Sequence, residues 1–204
     1  MKNDFLRFED QEARHRLILL HGWGADAEDL IPIGHELIKS LPEKFELLAL
    51  RAPQLHPDGT GRQWYGLFPA EWASVPKATK LLQNQIISIE NKKISLSKTF
   101  VLGFSQGAAM AINSCCDLNV GGIISCSGYP HPSWQAPQKS PRIFLTHGIN
   151  DEVVPKEASE KLYDQININN ENIDIFLFQG GHEISERAIS KIKLTLNKWI
   201  DSDS

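Results

Sequence analysis

Apolar residues gather along the chain in short runs at 17–20, 47–50, 99–102, 122–126, 143–146 and 173–178. Each run is too short for a stable helix and lies between turn-forming or polar residues, so each predicts a β-strand. Most of the runs are almost continuously apolar, which is the pattern of strands covered on both faces of a parallel sheet. The intervening segments carry a helical period instead. Leu30, Gly34, Leu37, Ile38 and Leu41 share one face of a first helix, and Ala78, Leu82, Ile86 and Ile89 one face of a second. Ala158, Leu162 and Ile166 do so in a fourth, and Ile184, Ala188, Ile192, Leu196 and Trp199 in a fifth. A third helix is expected to begin at Ser105 itself and to run through Ala108-Ala109-Met110-Ala111. Strand and helix thus alternate, and the fold expected is α/β, a mostly parallel, doubly wound sheet with helices on both faces. A further strand is expected at 5–8, and two segments, 52–74 and 128–141, show no regular period. Such long irregular loops in a compact chain usually carry function, and in doubly wound sheets ligands meet the carboxyl ends of the strands.

Composition narrows the reading. A chain of 204 residues suits one core, so a single domain over 1–204 is expected. The net charge of −4 comes with no basic cluster, which speaks against a nucleic-acid partner. Residues 1–10 are too charged for a secretory leader, and no apolar run approaches a membrane span, so a cytoplasmic protein without membrane insertion is expected. Cys115, Cys116 and Cys126 lack metal-ligand spacing and read as buried free thiols in a reducing compartment. Nothing in the sequence decides between monomer and homo-oligomer.

The candidate chemistry begins at Gly103-Phe104-Ser105-Gln106-Gly107, which joins the strand at 99–102 to the third helix. A strand that turns sharply into a helix through Gly-x-Ser-x-Gly holds its serine on a strained bend with Oγ exposed. A serine hydroxyl needs a base to accept its proton, and the base needs an acid to hold its tautomer. On this type of fold the partners follow in the order serine, acid, histidine. Of His131, His147 and His182, chain order selects His182, in Gly180-Gly181-His182 after the last strand. Asp151 lies in the loop after 143–146 and is the expected acid, with Glu152 its close competitor; Asp164 and Asp174 fall inside a helix and a strand. Two donors for the oxyanion are expected from the backbone N–H of Gln106 and of Trp23, the latter between Gly22 and Gly24.

The motifs Leu-His-Gly-Trp-Gly-Ala-Asp at 20–26, Arg-Ala-Pro-Gln at 51–54, Trp-Tyr at 64–65, Gly-Phe-Ser-Gln-Gly at 103–107, His-Gly-x-x-Asp-x-x-Val-Pro at 147–155 and Gly-His-Glu-Ile at 181–184 run in order over nearly the whole chain. Together they resemble the phospholipase/carboxylesterase family, which includes acyl-protein thioesterases, lysophospholipases and bacterial carboxylesterases. The resemblance implies a minimal α/β-hydrolase without a large lid domain. It implies hydrolysis of carboxylic esters or thioesters of small molecules or lipids, with no metal or organic cofactor. It also implies Ser105, Asp151 and His182 as the triad, with Trp23 and Gln106 at the oxyanion hole. Trp23 stands where relatives commonly carry leucine, and Trp64-Tyr65-Gly66 where many carry Trp-Phe-Asp. These departures bear on substrate choice.

Other residues admit plainer readings. His21 and His147 read as pins for their loops, and Asp26 as the cap of the first helix. Trp64, Tyr65, Leu67 and Tyr129 are candidates for an apolar wall around the acyl group; the alternative is ordinary packing beneath loops. A non-catalytic ligand-binding protein on a hydrolase scaffold is the rival function. A phosphate-binding loop at 103–107 would lack the P-loop lysine, and peptidase activity would share the same triad.

Overall fold

The computed structural model describes residues 4–168 and 171–202, so the first three residues of the charged N-terminal stretch lie outside the described chain. The order is β1 (Phe5–Phe8), β2 (His15–Leu20), α1 (Ile31–Ile38), β3 (Phe45–Leu50), β4 (Gln54–Leu55), β5 (Arg62–Gln63), α2 (Val75–Ser88), β6 (Thr99–Phe104), α3 (Gln106–Cys115), β7 (Gly122–Cys126), β8 (Ile143–Gly148), α4 (Glu157–Asn167), β9 (Ile173–Phe178) and α5 (Glu186–Asp201). Seven strands form one sheet in the order β1-β3-β2-β6-β7-β8-β9. β1 runs antiparallel to β3, and every other neighbour pair in that sheet is parallel.

Alternate side chains of these strands enter two cores. Ile18, Leu20, Leu48, Leu50, Val101 and Ile123 pack with α2, α3 and α4 on one face. Leu17, Leu19, Leu47, Ala49, Phe100, Leu102 and Ile124 pack with α1 and α5 on the other. Strands that feed both faces must be apolar at odd and even positions alike, which is why the runs show little alternation. Each fully buried Leu or Ile side chain contributes roughly 1.5–3 kcal/mol, so the two layers hold the sheet as a rigid platform.

The winding reverses between β2 and β6. The chain leaves β2 through α1 to reach β3 on one side, then returns through α2 to place β6 against β2, with Leu20 paired to Gly103. Loops leaving two adjacent strands in opposite directions open a crevice at their carboxyl ends. Loop 21–26 and residue 105 flank that crevice.

Three details differ from the sequence-based expectation. The third helix starts at Gln106, because Ser105 has φ 54° and ψ −117° and lies outside helical geometry. The first helix is preceded by a 3₁₀ turn, Ala27–Leu30, and it is this turn that Asp26 caps in a reciprocal box with Asp29. The irregular segment 52–74 contains the two-residue strands β4 and β5, too short to leave a period in the sequence. Cys115, Cys116 and Cys126 are free and buried, and burial pushes the Cys126 thiol up to about 12.

Candidate active site

Ser105 stands on a bend that only its neighbours make possible. A Cβ on Gly103 would lie 2.3 Å from the Gly107 carbonyl oxygen, and one on Gly107 would lie 2.1 Å from that of Leu20. Any side chain at either position would therefore open the turn or push loop 20–24 away. The bend is held from the next strand by the Ser105 N–H, which donates to the Cys126 carbonyl at 2.8 Å. Ser105 is 9% exposed, and its hydroxyl has no hydrogen-bond partner among the described residues. A positive φ at a non-glycine residue costs about 1–3 kcal/mol and persists where packing enforces it, commonly at functional sites.

Asp151 and His182 meet from loops that follow β8 and β9. His182 Nδ1 lies 2.7 Å from Asp151 Oδ2, while Asp151 Oδ1 accepts the N–H groups of Val153 and Val154 at 2.9 and 2.8 Å. Burial acts to raise the Asp151 carboxyl, but the hydrogen bonds from His182 and the two amides outweigh it and hold the group below its ordinary value. The carboxylate is thus ionised at neutral pH and keeps the proton of His182 on Nδ1, leaving Nε2 free to accept. The imidazole packs against Phe104, the residue before Ser105, with ring centroids 4.8 Å apart. No hydrogen bond joins the Ser105 hydroxyl to His182; in hydrolases that bond is often long until substrate binds. Glu152 is exposed and does not join the cluster.

His147 pins the loop that carries Asp151 and also reaches the carboxylate itself. Its Nδ1 lies 2.7 Å from the Ser159 hydroxyl, and its Nε2 lies 2.8 Å from the Val154 carbonyl and 3.2 Å from Asp151 Oδ2. His21 pins its own loop. Its Nε2 accepts the Ala52 N–H at 3.1 Å, so its proton sits on Nδ1 and is donated to the Gly22 carbonyl at 2.8 Å. Burial lowers its pKa, which keeps that neutral tautomer in place.

The two expected oxyanion donors lie on either side of the crevice. Gly22 borders Ser105 so closely that a Cβ there would stand 3.6 Å from Ser105 Cβ, and Trp23 follows it. Neither the Trp23 N–H nor the Gln106 N–H has an acceptor among the described residues. Side chains anchor both. Trp23 Nε1 donates to Gln63 Oε1 at 2.9 Å, and the buried Gln106 amide accepts the Trp64 N–H at 3.0 Å and donates to the Tyr65 carbonyl at 2.8 Å.

The candidate wall residues separate. Trp64 and Tyr65 are 2% and 0% exposed and lie inside the molecule, with Trp64 Nε1 donating to the His21 carbonyl; Leu67 and Tyr129 are half-buried. The Tyr65 and Tyr129 hydroxyls are 2.7 Å apart, and His131 Nε2 lies 2.8 Å from that of Tyr65. Chain order alone had set His131 aside. Burial among the rings of Tyr65, Trp72 and Tyr129 pushes its pKa down to about 4. A histidine depressed in the folded state contributes its full stability above the unfolded value near 6.5 and loses it as pH falls toward 4. At about 1.4 kcal/mol per pH unit, the loss across that window is about 3 kcal/mol. Chemical unfolding of His131→Gln should show a stability slope between pH 6.5 and 4 that is flatter by about one proton. Equal slopes in the two proteins would exclude His131 as the acid-sensitive group.

Comparison with known proteins agrees with this architecture. The phospholipase/carboxylesterase family model matches residues 2–200. Acyl-protein thioesterase 1 of Debaryomyces hansenii is 31% identical over 116 residues, which spans 50% of this chain and about half, 48%, of that protein. Acyl-protein thioesterase 1 homolog 1 of Dictyostelium discoideum is 22% identical over 219 residues, covering 98% of this chain and 97% of its own. Among solved structures, esterase PE8 superposes with a TM-score of 0.85 at 26% identity over 95% of this chain and 96% of its own. Among the described residues, no helix is long and apolar enough to cross a membrane.

Proposed function

Because the chain belongs to the phospholipase/carboxylesterase family, and is thus a carboxylic ester hydrolase of the α/β-hydrolase fold, we propose that Ser105 is its nucleophile. The chain acts as one domain on esters or thioesters of small molecules or lipids. The observation that carries the reading is the 2.7 Å pairing of His182 Nδ1 with an ionised Asp151 beside a serine held at φ 54°.

In this mechanism Ser105 Oγ attacks the scissile carbonyl carbon while His182 Nε2 takes its proton. Asp151 stabilises the imidazolium, and the Trp23 and Gln106 N–H groups donate to the oxyanion, each worth roughly a hundred- to a thousandfold in rate. The dipole of α3 adds to the field at its first turn. His182 then returns the proton to the departing alcohol or thiol, leaving an acyl-enzyme. Water, deprotonated by the same imidazole, attacks the acyl carbon; the bond to Ser105 Oγ breaks, His182 returns the proton to that oxygen, and the acid is released. Three unpaired thiols support action in a reducing, cytoplasmic compartment.

A fluorophosphonate probe tests the reading directly. The serine oxygen should displace fluoride and form one covalent adduct per chain, located on the peptide containing Ser105 by mass spectrometry. The protein should also release p-nitrophenol from p-nitrophenyl esters. A folded protein that takes up no probe and turns over no ester would instead be a ligand-binding relative without chemistry.

A further inference from the structure

Four polar side chains that the mechanism does not use form one hydrogen-bonded chain. Asn113 Nδ2 lies 2.7 Å from His131 Nδ1, His131 Nε2 lies 2.8 Å from the Tyr65 hydroxyl, and that hydroxyl lies 2.7 Å from the hydroxyl of Tyr129. The direction of donation is determined by its first member. An amide NH2 group can only donate, so His131 Nδ1 offers its lone pair and the proton of the neutral ring sits on Nε2. That N–H goes to the Tyr65 oxygen, the Tyr65 proton goes to the Tyr129 oxygen, and the Tyr129 proton has no acceptor among the described residues.

The chain runs through the interior and ends at partly exposed residues. Its middle members, His131 and Tyr65, are 4% and 0% exposed, while Asn113 and Tyr129 at its ends are half-buried. Asn113 borders a cleft of about 490 Å³ between α2 and α3. Tyr129 lies at the other end, on the side of the elbow. It follows β7, whose last carbonyl, that of Cys126, accepts the Ser105 N–H, and the main chain of its partner Tyr65 is clamped by Gln106. The O–H so oriented belongs to a residue of the loop that leaves the carboxyl end of β7, the strand paired with β6, which leads into Ser105.

Resting on the ester-hydrolase reading above, we infer that Tyr129 is a specificity-determining donor: its O–H, oriented by Asn113, His131 and Tyr65, hydrogen-bonds a substrate oxygen other than the scissile carbonyl. The class selected is an ester or thioester with an ether, hydroxyl or second carbonyl oxygen near the scissile group. A hydrocarbon analogue of the same shape would desolvate the Tyr129 hydroxyl and leave it unpaired, and that penalty is the source of discrimination.

The test uses p-nitrophenyl methoxyacetate against p-nitrophenyl butyrate for the acyl side, and 2-methoxyethyl against butyl esters for the alcohol side. In each pair an ether oxygen replaces a methylene. In one of the pairs, Tyr129→Phe should lower the ether-to-methylene ratio of kcat/KM by about 3- to 10-fold relative to wild type. Tyr65→Phe, which keeps the Tyr129 hydroxyl but removes the donor that orients it, should lower the same ratio. Both ratios unchanged in Tyr129→Phe would overturn the inference while leaving the hydrolase intact, and a drop in Tyr129→Phe without one in Tyr65→Phe would overturn the relay. A wild type inactive on every ester would sink the function itself, and this inference with it.

Discussion

Ser105→Ala should lose about 10⁵- to 10⁶-fold in kcat/KM for p-nitrophenyl butyrate and keep the thermal midpoint of the parent within a few degrees. The rate loss follows from the role of one oxygen atom, because removing it removes the acyl-enzyme route and leaves only binding and the two amides. Those groups by themselves retain roughly 10³–10⁴ over the reaction in water. The stability is spared for an independent reason. The Ser105 hydroxyl has no partner among the described residues, so its removal leaves no donor or acceptor stranded. Alanine meets the same backbone strain at φ 54° that serine already bears, and the bend is held by the Ser105 N–H to the Cys126 carbonyl, which the substitution preserves. Far-UV circular dichroism and a melting curve would check the fold, and fluorophosphonate uptake should vanish. A variant that keeps more than about a hundredth of parental turnover would place the nucleophile elsewhere.

The parts of this molecule that were legible in the sequence are those governed by local pattern. A strand such as Leu17-Ile18-Leu19-Leu20 must be apolar throughout because Ile18 and Leu20 enter one core and Leu17 and Leu19 the other. The candidate serine, acid and histidine were legible for a different reason, since each lies at the carboxyl end of a strand; chain order separates His182 from the earlier histidines, and a place in a loop separates Asp151 from Asp164 and Asp174. What the sequence concealed is held together by distance along the chain. Asn113, His131, Tyr65 and Tyr129 meet across separations of 18, 66 and 64 residues, and no period connects such positions. The Gln106 side chain is a similar case. Its backbone N–H was foreseeable from the turn, but its carboxamide reaches 42 residues back to clamp Trp64, which depends on how the 52–74 segment packs. The same packing carries Trp64 and Tyr65 into the interior, a choice between pocket wall and ordinary packing that their aromatic character leaves open.

Asp151→Asn should lower kcat by about 10⁴, although it changes one atom. The parent carboxylate uses both oxygens as acceptors. Oδ1 takes the N–H groups of Val153 and Val154, and Oδ2 takes that of His182 Nδ1 with His147 Nε2 at 3.2 Å. Asparagine has only one oxygen for these donors. If that oxygen stays with the two valine amides, the NH2 group faces His182 and forces Nδ1 to accept, which moves the ring proton to Nε2. The base then presents a proton to Ser105 where it must present a lone pair. If the amide turns over, the NH2 group faces two N–H groups in a buried site, and the loop at 151–154 loses the contacts that hold it. Either outcome disables proton transfer, so the rate of fluorophosphonate inactivation should fall in parallel with kcat. Glu152→Gln, at an exposed position outside the cluster, should stay within about twofold of the parent. A loss in Asp151→Asn smaller than about tenfold, or a loss in Glu152→Gln that matches it, would show that His182 takes its orientation from some other acid.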